Sequence, residues 1–326
     1  MRLSILSLVF LAAIPVMASA NASMDDLQAE LKKANKALAD ENYSLAFTEY
    51  KRHAEKNGLA QFSLGLIEQN GWGRSPNAVA ACKWFGRAAH EGIPAAQQFF
   101  GNCLAQGVGS PVDGPAAIRW YKTAADRGLI SAACDAGELL IAGKIVVQDV
   151  AQGLALCTGA AQAESTPAMM SLAALYSEGG VVAQDLALAR FWYTEAAERR
   201  VLEAQFRLGL MLTEGLGGEA DVLKARFWLE HAAAEGYAPA YLPTAILYAN
   251  APLDPATGAL SPEDLAKIYM WNSAAKAITQ DPAQLAEIAR IEALTLKVMP
   301  PQWKPDLDQR VAAHLAKFNE TQHAPL

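Results

Sequence analysis

Four cysteines, five histidines and a recurring set of glutamates are the residues of this 326-residue chain whose types could support chemistry. Cys82, Cys103, Cys134 and Cys157 follow one another at intervals of 21, 31 and 23 residues, with no CxxC pair. That spacing matches no zinc site. His53, His90, His231, His314 and His323 contain no pair at i, i+3 or i, i+4 and no HExxH, so no helical metalloprotease site is encoded. No GxSxG nucleophile elbow is present. The GxG runs at Gly71–Gly73, Gly107–Gly109 and Gly215–Gly217 lack the GK[ST] of a phosphate loop and read as turns between helices. Glu138, Glu178, Glu203 and Glu214 return along the chain. Paired carboxylates serve glycoside hydrolysis; on a repeated helix face they more simply meet solvent or a ligand. The chain therefore reads as a non-enzyme with no cofactor and no metal.

The elements that must position these residues are set by a repeat. Small residues stand at Gly65, Gly101, Gly137, Ala173, Gly209 and Ala245, each 36 after the last. A second glycine ladder, Gly71, Gly107, Gly143, Gly179 and Gly215, keeps the same step. So do the large residues Trp84, Trp120, Leu156, Trp192 and Trp228; Trp271 follows after 43. Seven residues before each stand Asn77, Asp113, Asp149, Asp185, Asp221 and Asp264. The Asp or Asn predicts a helix N-cap. In the last unit Ser261-Pro262-Glu263 offers a stronger start. The second glycine ladder predicts a helix end. The first ladder lets two helices approach closely, and the aromatic is expected to fill the gap further along. Each unit is thus helix A, a glycine loop, helix B and a tight turn, closed in three units by Gly92, Gly128 and Gly236. Stacked units bury one continuous core.

Five segments follow. Residues 1–20 carry Arg2, an apolar run to Met17 and Ala18-Ser19-Ala20, the pattern of a secretory signal peptide. Residues 21–42 read as an N-terminal capping helix, with an amphipathic stretch from Met24 to Asp40. Residues 43–277 form the repeat array, 278–318 a C-terminal helical cap with Trp303 folded onto the last repeat, and 319–326 a polar tail. No membrane span is expected after cleavage. The net charge of −7 and the absence of a Lys/Arg cluster argue against nucleic acid or an anionic surface as partner. In an exported compartment the cysteines invite a disulfide reading. Repeat offsets put Cys82 level with Cys103, and Cys134 level with Cys157, across antiparallel helices. Three pairings are open in principle, as are four reduced thiols.

The stretches "AQFRLGLMLTEGLGGEADVLKARFWLEHAAAEG", "AAQQFFGNCLAQGVGSPVDGPAAIRWYKTAADRG" and "AQFSLGLIEQNGWGRSPNAVAACKWFGRAAHEG" resemble Sel1-like repeats, relatives of the tetratricopeptide repeats. Departures are Leu156-Cys157 in place of Trp-Tyr, Gly153 for the usual alanine, and Pro243 inside the last A helix, which should kink or split it. The resemblance implies an all-α, right-handed α-α superhelical solenoid with helical caps. It also implies a concave face lined by A helices at offsets −3, +1, +4 and +5 from the small residue. That face would hold Phe62, Gln69, Asn70, Gln98, Asn102, Gln106, Glu138, Glu178, Phe206, Thr213 and Glu214. The expected role is an interaction scaffold or adaptor in the bacterial envelope, periplasmic or secreted, binding a peptide or protein segment. The alternatives are a peptidoglycan, glycan or small-ligand module, and a weak β-lactamase-like hydrolase, for which no Ser-x-x-Lys set with supporting motifs is present.

Overall fold

The computed structural model describes residues 24–323; the expected signal peptide and the last three residues lie outside that range. The described chain is all-α, with 17 α-helices covering 74% of residues and no strand among them. It falls into two compact units, one ending at Ser171 and one running from Leu172 to His323.

The first unit begins with α1 (Met24–Glu30) and α2 (Lys32–Ala39). The single helix expected over Met24–Asp40 is broken at Leu31, which leaves helical geometry (φ −94°, ψ 5°). The break turns Leu31 into a cluster with Ala34, Tyr50 and Leu64, where it is fully buried. Then follow α3 (Tyr43–His53), α4 (Gly58–Asn70), α5 (Ala78–His90), α6 (Pro94–Gln106), α7 (Gly114–Asp126), α8 (Ser131–Ala142) and α9 (Val150–Gln162). From α2 to α9 each helix packs on the next. The boundary between units falls inside α10 (Thr166–Glu178).

The second unit continues with α11 (Leu186–Glu198), α12 (Leu202–Glu214) and α13 (Val222–Ala234). A short 3-10 turn (Ala238–Ala240) precedes α14 (Tyr241–Ala249), so the last A helix is split as Pro243 led one to expect. Next come α15 (Pro262–Ile278), α16 (Pro282–Val298), a 3-10 turn at Pro301–Trp303 and α17 (Lys304–His323). Both α16 and α17 pack on α15, and Trp303 closes against Tyr269, Met299 and Leu307.

Local chemistry explains the helix ends. The carboxylate or amide oxygens of Asn77, Asp113, Asp149, Asp185 and Asp221 each accept from the backbone N–H three residues on, at 2.8–3.0 Å. Asp264 departs from that register. Ser261 caps α15 by accepting from the Asp264 N–H at 3.0 Å, which frees the Asp264 carboxylate to pair with Arg226. Gly107 ends α6 in the left-handed region, φ 70°. At the tight turns Glu164 and Arg200 adopt the same conformation without being glycine, φ 66° and 64°.

One expectation about packing needs correcting. The small residue of helix A is met by the residue after the tryptophan. A Cβ on Gly65 would stand 2.4 Å from the Phe85 ring, on Gly101 2.6 Å from Tyr121, and on Gly209 2.5 Å from Leu229. These partners are buried, whereas Trp84, Trp120 and Trp228 are half-buried. Adjacent positions on a helix are turned by about 100°, so only one of them can aim at the partner helix. The tryptophan reaches back instead: Trp120 of α7 lies against His90 of α5 and Phe100 of α6, with ring centres 5.1 and 5.5 Å apart. It binds one repeat to the one before.

Candidate functional site

The eleven residues expected on A-helix faces divide by unit, and they do not behave alike. In the first unit Gln69, Asn70, Gln106 and Glu138 are exposed. Phe62 is not free: its ring sits 5.7 Å from Phe85 and 5.6 Å from Phe99 in an aromatic cluster. Asn102 is engaged too, accepting from the Tyr121 hydroxyl at 2.6 Å. Gln98 of α6 donates through Nε2 to Asp135 of α8, tying one A helix to the next. In the second unit Glu178 and Glu214 are exposed. Phe206 is half-buried with its ring 5.6 Å from Tyr237, and Thr213 donates back to the Gly209 carbonyl at 2.9 Å.

Offsets alone missed Asp135, the partner of Gln98. Asp135 stands two positions before Gly137 and is half-buried. Burial raises its carboxyl pKa above the ordinary aspartate value, and the nearby Glu138 carboxylate adds to this, while the bond from Gln98 opposes both. Behind it the Tyr121 phenol is pushed up by burial and by the charges of Asp135 and Glu138. Gln98, Asn102, Asp135 and Glu138 thus form a small acid–amide cluster around Tyr121. In the second unit the corresponding phenol is Tyr193, raised mainly by burial, with Arg207, Glu203 and Glu178 as its charged surroundings.

A second set also escaped the sequence. Gln61, Gln97 and Gln205 each stand four residues before the small residue and are buried. Their amides donate to the carbonyls of Ala54, Ala89 and Ala197, at 2.7, 3.1 and 3.1 Å. Each carbonyl lies at or just past the end of the preceding B helix, where such groups lack helical partners. The signal was available as a 36-residue glutamine step, with a gap of two repeats between Gln97 and Gln205.

The remaining chemistry-bearing groups are held in structural roles. His90 Nδ1 donates to the Gly86 carbonyl at 2.6 Å. His231 Nδ1 donates to Gln205 Oε1 at 3.1 Å. His314 is hydrogen-bonded to the Tyr241 hydroxyl at 3.0 Å. Among the described residues no group of three His, Cys, Asp or Glu side chains is arranged to hold a metal. The cysteines form two pairs at disulfide distance, Cys82 with Cys103 and Cys134 with Cys157. The first pair joins α5 to α6; the second joins α8 to α9, the two helices of the unit that lacks Trp-Tyr.

Helix pairs stacked in phase, with polar A-helix faces, define an α-helical repeat solenoid of the kind that generally mediates protein–protein interaction. The Sel1 repeat profile matches residues 58–93, 94–129, 166–200 and 202–237, and the chain is a Sel1-like repeat protein. The crystal structure of a Sel1 repeat protein from Oxalobacter formigenes is similar to it, with 25% identity and a TM-score of 0.58 over 76% of this chain and 100% of that one. A protective antigen of uropathogenic Escherichia coli strains, c5321, which displays an SLR fold, shares the fold at 21% identity and a TM-score of 0.52, over 90% of this chain and 72% of that one. No curated protein sequence matches the chain. No helix among the described residues is long and apolar enough to cross a membrane.

Proposed function

We propose that the protein is a non-catalytic interaction scaffold of the exported cell envelope that binds a peptide or protein segment along its A-helix faces. The observation that carries this reading is the Gln98–Asp135 bridge. It ties two successive A helices of the first unit, and these helices also carry the exposed Gln106 and Glu138, which in this reading join the same binding face. Amides can pair with a peptide backbone in either sense, as donor and as acceptor. Asp135 and Glu138 favour a segment that brings a cation. Export is supported by the two cysteine pairs at disulfide distance, because such bonds persist in oxidising compartments. In the same reading α1–α2 and α16–α17 cover the ends of the array.

The test is affinity capture from a native envelope extract, comparing the wild-type chain with a Gln106→Lys/Glu138→Lys variant. Both positions are exposed, so the fold should survive the change. A partner lost from the variant supports the face. The same partners at the same yield remove it.

A further inference from the structure

In the first unit the Tyr121 hydroxyl donates to Asn102 at 2.6 Å. Two repeats on, 72 residues later, the same two registers hold Tyr193 and Ala174. Alanine offers no side-chain acceptor. Tyr193 is only 6% exposed, yet its hydroxyl has no hydrogen-bond partner among the described residues. A buried phenol normally spends its O–H on an acceptor, so Tyr193 carries an open donor.

The charges around that donor also differ from those around Tyr121. Arg207 stands at the register of Asp135, again 72 residues on. It is exposed and meets Glu203 at 3.5 Å. Glu178 is exposed and makes no ion pair among the described residues. Burial raises the Tyr193 pKa, Arg207 lowers it, and Glu203 and Glu178 raise it. The phenol is therefore a neutral donor set among these three charges. They come from α10 (Glu178) and α12 (Glu203, Arg207), with Tyr193 on α11 between them. Past Arg207, the Tyr237 phenol senses Glu203 and Arg207 as well, and its ring lies 5.6 Å from Phe206.

This arrangement selects its ligand chemistry. The Tyr193 hydroxyl and the Arg207 guanidinium are donors that need an acceptor from outside. A carboxylate would add a third negative charge beside Glu178 and Glu203, and like charges brought together oppose binding. A peptide carbonyl accepts from both donors and brings no charge. Glu178 is then left to pair with a cation, and Phe206 and Tyr237 offer half-buried apolar surface beside it.

We propose that the A-helix face of the second unit binds an extended peptide segment bearing lysine or arginine, with a backbone carbonyl on Tyr193 and Arg207 and the cation on Glu178. The inference rests on the reading of A-helix faces as peptide-binding surfaces, and adds the class of segment that the second unit selects.

An array of immobilised, N-acetylated octapeptides of alanine and glycine, with Lys, Arg, Gln or Glu at alternate positions, tests this with the full chain as probe. The wild type should hold Lys and Arg peptides more tightly than Gln peptides, and Glu peptides least, with the preference shrinking as salt rises. Glu178→Gln should weaken the Lys and Arg peptides about two- to fivefold and leave the Gln peptides unchanged. Tyr193→Phe should weaken Lys, Arg and Gln peptides alike, about three- to tenfold. Phe85 already fills this register in the first unit, so the fold should keep its helical circular dichroism. Glu peptides bound most tightly overturn the proposal, as does unchanged binding by both variants. If those two bind as the wild type does while Gln106→Lys/Glu138→Lys loses the peptides, the first-unit face stands and this inference falls. If the wild type binds no peptide, both fall.

Discussion

A methyl group placed on Gly101 would stand 2.6 Å from a ring carbon of Tyr121. The two residues are 20 apart, and the same relation recurs at Gly65 with Phe85 and at Gly209 with Leu229. Helix A touches helix B at this point, and the absent side chain is what allows it. Gly101→Ala should therefore cost about 1–3 kcal/mol, because the ring must move in a packed core. Gly159 supplies the contrast. It lies inside α9, and a Cβ there meets nothing within 4 Å. Gly159→Ala should stabilise by roughly 0.5–1 kcal/mol through helix propensity. Urea unfolding of both variants checks the opposite signs.

The glutamine clamps predict an asymmetry. Gln205 is satisfied at both ends, donating to Ala197 and accepting from His231. Gln97 donates to Ala89, but its Oε1 is buried without a partner. Gln205→Met removes two bonds and should cost roughly 2–3 kcal/mol. Gln97→Met leaves one carbonyl unpaired while relieving one buried oxygen, so its cost should be about 1 kcal/mol or less. Hydrogen exchange in α12 and α6 would report the two openings. Equal losses would contradict the accounting.

The repeat was legible because its constraints are local and periodic. An Asp or Asn cap and a left-handed glycine are demanded by helix ends wherever they fall, so Asp113 and Gly107 announced themselves. Pro243 did so by removing a backbone donor. Side-chain direction was less legible. Trp120 and Tyr121 are neighbours in sequence, yet one reaches back to the preceding repeat while the other meets Gly101. No spacing separates two large residues in a row. The candidate face suffered from the same limit. Phe62, Gln98, Asn102 and Thr213 sit at offsets that point outward by analogy, but each is engaged by a neighbour whose distance along the chain varies: Phe85, Asp135, Tyr121 and Gly209. Asp135 was missed because its importance comes from Gln98, 37 residues earlier. Nothing in the spacing of Phe191 and Phe227 marks them as exposed, and only the fold reveals that they face water.

The cysteine pairs close loops of 21 and 23 residues. By loop entropy each disulfide contributes about 3 kcal/mol. Peptide mapping of the exported protein without reductant should recover Cys82 with Cys103 and Cys134 with Cys157. Four alkylatable thiols would remove the pairing. Replacing Cys134 and Cys157 by alanine should cost more than replacing Cys82 and Cys103. Cys157 fills the position opposite Gly137 that Phe85, Tyr121 and Leu229 fill elsewhere, so its loss also opens a void.

Asp135 gives a pH dependence with a definite sign. Its folded pKa is raised by burial, so the folded chain binds a proton more readily than the unfolded chain. Ionised Asp135 thus lowers stability at neutral pH, and stability returns as pH falls into the range just above that of an ordinary aspartate. Asp135→Asn should raise the neutral-pH melting temperature and flatten that rise, since an asparagine oxygen still accepts from Gln98. A melting temperature lowered at pH 7 would show that the carboxylate is stabilised there, against the burial argument.

His314 carries the opposite sign. Its imidazole lies edge-on to Tyr241 and Trp271, with ring centres 5.5 and 5.3 Å away, and joins α17 to the body of the second unit. Burial, and secondarily the charge of Lys317, lowers its pKa below the ordinary value of 6.5. The unfolded chain therefore takes up the proton first. The stability from neutral His314 is fully present above the unfolded pKa and is lost as pH falls from about 6.5 through the depressed folded value. Amide exchange in α17 should accelerate relative to α15 over that interval. His314→Phe removes the titration while keeping an aromatic ring against Trp271. It should abolish the relative acceleration at a small cost from the lost bond to Tyr241, and exchange that still accelerates in α17 of this variant would assign the effect to another group.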